Sequence, residues 1–109
     1  MDKTFTGKIK EITLEEIAKA NLPFEISEKN LLVGVVKYTR SEGYGKDKKT
    51  MFLLKRANGK ETGHSIGGTH ENTLMHNTRA ALIFTKERLV GGYATFDNKG
   101  DLQYFYSGF

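Results

Sequence analysis

Apolar positions recur at every second residue over much of this chain, the period of strands rather than helices. Between Leu31 and Arg40, Leu31, Val33 and Val35 fall on one face while Leu32, Val36 and Tyr38 fall on the other. Apolar residues on both faces predict a central strand. Thr50 to Arg56 and Lys60 to Ile66 read as two more strands around Asn58-Gly59, a dipeptide that accepts the positive φ angles of a tight hairpin. Leu89 to Phe96 and Asp101 to Ser107 form a further pair joined by Asp97-Asn98-Lys99-Gly100, with aromatic side chains on both sides of the last strand. Thr4 to Lys10 alternates weakly.

Two interruptions have a helical pattern. Thr13-Leu14-Glu15-Glu16 is a capping box, in which the Thr13 hydroxyl and the Glu16 carboxylate satisfy each other's free backbone donors. It predicts a short helix from Leu14 to Ala20, ended by Asn21-Leu22-Pro23 because Pro23 disfavours helical geometry at the residue before it. Thr69 to Thr85 reads two ways: Leu74, Thr78, Ala81, Leu82 and Thr85 make a helical stripe, yet Ala81-Leu82-Ile83-Phe84 also suits a buried strand. The preferred reading is a two-turn helix over Thr69 to His76, with Asn77 in a left-handed end conformation, and then a strand from Arg79 to Thr85. The expected architecture is an α+β domain: a curved, mainly antiparallel sheet, or a small open barrel, of about six or seven short strands with two short helices.

Length and composition narrow the class. At 109 residues the chain is expected to be a single domain, residues 1–109. Hydrophobic residues make up 38%, including seven Phe and five Tyr, which is enough for an ordinary core. With no cysteine there is neither a disulfide framework nor a thiolate metal site, and a cytoplasmic setting is expected. No apolar run reaches the roughly 20 residues of a membrane helix, so no membrane partner is expected.

Charge is unevenly spread. Lys37 to Lys60 holds eight basic residues against two acidic ones, a net of +6. The remaining nine basic and eleven acidic residues give −2. A positive region of this kind attracts phosphates through a field that salt weakens. Within it the loop from Arg40 to Lys49 carries Tyr44 between Gly43 and Gly45, with Lys46, Lys48 and Lys49 beside it. Cations around an aromatic side chain suit single-stranded nucleic acid, held by its backbone and by stacking.

All three histidines lie between Gly63 and His76. A helix start after Gly67-Gly68-Thr69 would offer unpaired N–H groups to a phosphate, with Arg79 or a lysine completing the charge. His64 and His70 could alternatively act as base and acid in metal-independent RNA cleavage. A metal site is not expected: His70-Glu71 is followed four residues on by Leu74, and His76 lies about 240° round a helix from His70. No cofactor is implied. Three functions follow: a binder of RNA, DNA or a nucleotide through Arg40, Tyr44, Lys46, Lys48, Lys49, Gly67, Gly68, Thr69 and Arg79; a ribonuclease using His64 and His70; or an interaction or inhibitor module that occupies a partner protein's surface.

Overall fold

The computed structural model describes residues 13–22, 27 and 29–108. The weak alternation at Thr4 to Lys10 and the stop at Pro23 lie outside these residues. Among the described residues one α-helix, α1 (Leu14–Lys19), precedes six strands: β1 (Leu31–Glu42), β2 (Lys49–Lys55), β3 (Glu61–Gly67), β4 (Arg79–Phe84), β5 (Val90–Phe96) and β6 (Leu102–Ser107). They form one open antiparallel sheet in the order β3-β2-β1-β4-β5-β6. Each half is a meander of three consecutive strands, and the halves join where β1 lies beside β4.

Local chemistry accounts for the turns and the cap. Thr13 and Glu16 make the reciprocal capping box, and Asn21 follows the helix at φ 53°. Gly59 takes φ 86° in the β2–β3 turn, where Asn58 also accepts from the Lys60 N–H at 2.9 Å. Between β5 and β6 the Asp97 carboxylate accepts the backbone N–H groups of Asp101 and Lys99 at 2.8 and 2.9 Å. These bonds, Asp101's first, draw its pKa below the ordinary carboxylate value despite some desolvation.

The sheet is covered differently on its two faces. On one, Ile17 of α1 packs with Ala81, Ala94 and Phe96, flanked by Leu31, Val33 and Leu102. On the other, Val36, Phe52, Leu54, Ile66, Ala80, Leu82 and Tyr93 surround Leu74, which arrives from the segment linking β3 to β4. The sheet curls around this second face, so β3 approaches β5 across it. Register slips in β1, between Ile83 and Phe84 and between Thr95 and Phe96 supply the bends.

The second expected helix does not form. Residues 68–78 run as a chain of turns, a strap across the concave face, with only the Leu74 N–H reaching back four residues, to the His70 carbonyl at 2.8 Å. Tertiary partners take the groups that another helical turn needs. The Leu74 carbonyl accepts from the Thr39 hydroxyl at 2.6 Å, and the Asn77 N–H donates to the Val36 carbonyl at 2.7 Å. Burying all of Leu74 adds about 2 kcal/mol, more than one helical turn is worth by itself. Asn77 does adopt the left-handed conformation, at φ 71°, and β4 follows where the strand was expected.

Candidate functional site: the basic hairpin and its groove

β1 and β2 form the basic hairpin. Its tip is closed by a single 3-10 turn, Gly45–Asp47, and there Tyr44 is 92% exposed. Glu42 pairs with Lys49 in register, and Lys49 pairs in turn with Gly67 of β3. The Gly68 N–H donates to the Lys48 carbonyl at 2.8 Å, and the Ser41 hydroxyl donates to the Glu71 carboxylate. The cationic tip and the glycine turn therefore share one end of the sheet.

The glycine turn differs from its expected form. No helix begins at Thr69, so the anticipated helix N-terminus and its field are absent. Two of the N–H groups are already used: Gly68's by Lys48, and His70's by the Thr50 hydroxyl at 2.8 Å. Thr69 is exposed beside the tip. Arg79 is buried away from the hairpin, where its guanidinium pairs with Glu16 at 3.0 Å and donates to the Asp97 carbonyl at 3.0 Å. Its work is to fasten α1 to the sheet. Burial alone would raise the Glu16 pKa, but hydrogen bonds from the Thr13 backbone and Arg79 outweigh it and hold the carboxyl below its ordinary value.

The histidines are tied into the fold. His70 Nε2 lies 3.0 Å from the Gly67 carbonyl, which can only accept, so Nε2 carries the hydrogen. In the neutral ring Nδ1 then accepts the Tyr93 hydroxyl hydrogen at 2.7 Å, and Thr73 meets the same phenol at 2.6 Å. The Tyr106 ring packs edge-on to His70 at 4.6 Å. Both imidazole nitrogens thus serve to clamp the strap. His64 Nε2 bonds the Thr62 hydroxyl at 2.7 Å, and its ring lies between Phe52 and Phe84. Desolvation there lowers its pKa. His76 is exposed and accepts the Tyr38 N–H on Nδ1 at 3.1 Å. No group of three or more His, Cys, Asp or Glu side chains among the described residues is placed to hold a metal ion.

A feature missed by sequence reasoning lies on the opposite face from the strap. β1 slips register between Lys37, which pairs with Leu53, and Arg40, which pairs with Met51, leaving two residues opposite Phe52. The bulge holds Tyr38 at φ 55°, a left-handed conformation uncommon for a bulky side chain, and leaves it 68% exposed. Tyr38 and Arg40 line an open groove of roughly 420 Å³ with Met51, Leu53, Gly63 and Ser65. Nothing in the local pattern marks the bulge, because Tyr38 keeps the alternation of Val36 and reads as core.

Arg40 also pairs with Glu42 at 2.8 Å, but both side chains are well exposed. Such a pair contributes about 0–1 kcal/mol. Among the described residues no helix is long and apolar enough to cross a membrane. The chain matches no family model, and no curated protein or solved structure is detectably similar to it.

Proposed function

We propose that this protein binds single-stranded nucleic acid along its β1–β2 hairpin, with Arg40, Lys46, Lys48 and Lys49 meeting phosphates and Tyr44 and Tyr38 meeting bases. The observation that carries this reading is the exposure of two tyrosines on one cation-rich hairpin, Tyr44 at its tip and Tyr38 on a bulge further down. Tyr44 lies open to water at the tip and Tyr38 leaves most of its surface exposed beside His76, and bases stack on such rings without sequence preference. The net charge of +6 over Lys37 to Lys60 supplies the attraction for the backbone.

The test is anisotropy of a labelled single-stranded oligonucleotide against rising salt. Four phosphate contacts give a slope of log affinity on log salt near −3, at about −0.7 per contact. Changing Lys48 and Lys49 together to Ala should flatten that slope by about 1.4. Absence of binding at low ionic strength would end the proposal.

A further inference from the structure

We propose that the groove floored by Leu53 and Gly63 is a slot for one unpaired nucleobase of the bound strand. The inference rests on the single-strand reading above and names what occupies one place along the hairpin. The groove combines surfaces that a base can use. Its floor is strand surface, in which Met51 and Leu53 are half-buried and Gly63 contributes no side chain. A Cβ built at Gly63 would meet only Leu53 Cδ2, at 3.7 Å, so the notch is open rather than filled by a neighbour. Tyr38 forms one wall, steadied by the His76 ring at 5.4 Å and by its own N–H bond to that imidazole. Arg40 and Ser65 also line it, one charged and one a hydroxyl.

A nucleobase has apolar faces and a hydrogen-bonding edge, and it hangs from a phosphate. The half-apolar floor and the tyrosine wall suit the faces. Ser65 suits the edge, and the Arg40 guanidinium suits an attached phosphate. Cations from the rest of the hairpin disfavour a positively charged occupant. The volume falls at the low end of small-molecule sites, as one nucleotide unit requires.

The experiment compares oligo-deoxythymidylate with an abasic strand of equal length and intact sugar-phosphate backbone, using the full chain at fixed low salt. The unaltered protein should bind the thymidylate strand more tightly by about five- to hundred-fold for the base in the slot, with a further factor from the base stacked on Tyr44. Gly63→Val fills the notch with a residue that strands accept and should bring thymidylate affinity down towards that of the abasic strand. Circular dichroism and a thermal melt check that this variant folds. Tyr38→Ala provides a second route to the same loss should Gly63→Val misfold.

Equal binding of both strands by the unaltered protein overturns the slot while leaving the phosphate reading intact. Binding of neither strand removes the single-strand reading itself. Full preference retained in folded Gly63→Val overturns the assignment to this groove.

Discussion

Tyr38 offers a test in which the sign of an effect, rather than its size, decides. In an ordinary strand Gly is less stable than Ala by about 0.5–1 kcal/mol, because it has more conformational freedom to lose. At φ 55° the balance reverses. A residue with a Cβ pays roughly 1–2 kcal/mol for the left-handed conformation, and Gly pays almost nothing. Subtracting the first quantity from the second leaves Tyr38→Gly more stable than Tyr38→Ala by about 0–1.5 kcal/mol, centred near ~0.75 kcal/mol. Both variants lose the same ring, so its packing against His76 cancels from the comparison. For a chain of this size the difference is about 2–4 °C in melting temperature, and urea titration should show it as a shift in midpoint at constant slope. Ser65 is the internal control, an exposed strand residue without positive φ, where the Ala variant should be the more stable of its pair. If Tyr38→Ala exceeds Tyr38→Gly in stability, the bulge does not hold Tyr38 in the left-handed region and the strain argument fails.

Two further predictions concern the concave face. Tyr93→Phe keeps the buried ring but removes the hydroxyl shared by His70 and Thr73, and at about 1 kcal/mol for each lost bond it should destabilise the fold by about 2 kcal/mol. Urea unfolding measures this, and hydrogen exchange should speed at the His70 and Leu74 amides; a loss under about 0.5 kcal/mol would mean that the phenol does not clamp the strap. His64 titrates lower in the folded state than its ordinary value of 6.5, so the unfolded chain takes up its proton first. Its contribution is complete above about pH 6.5 and is lost as pH falls through the folded value. The urea midpoint should therefore fall with acidification over that window and fall less in His64→Phe. An equal fall in both proteins would remove His64 as a cause.

Helix and strand positions were legible wherever local chemistry decides them. The capping box at Thr13 and Glu16, the Asn58-Gly59 hairpin and the alternation around Leu31 to Val36 each carry their instructions within a few residues. The strap was misread because its instructions come from elsewhere. Leu74 sits at a helical spacing, yet its carbonyl is claimed by Thr39 and the neighbouring backbone by Val36, from a strand about 35 residues earlier. The exposure of Tyr44 among the hairpin's cations was legible because charge and exposure there depend only on the loop. Tyr38 was not, since an apolar residue at the right parity reads as core until the bulge is known. Arg79 was misread for the opposite reason: as one more cation near the glycines, its burial against Glu16 depends on where α1 docks.

The strand order also bears on how the chain reaches this arrangement. Every neighbouring pair except one joins segments adjacent in sequence, so two three-stranded ribbons can assemble early by local hairpin closure. The exception, β1 with β4, joins Leu31 to Ile83 and must close a loop containing the whole of the first ribbon and the strap. At this seam Leu31 faces Ile83, Leu32 faces Leu82 and Gly34 faces Ala80. On this topology the zipping of the seam is expected to be the slow step, and the β1–β2 hairpin can form before it, while the contacts of Tyr38 with His76 and of Lys48 with Gly68 wait for the strap to dock.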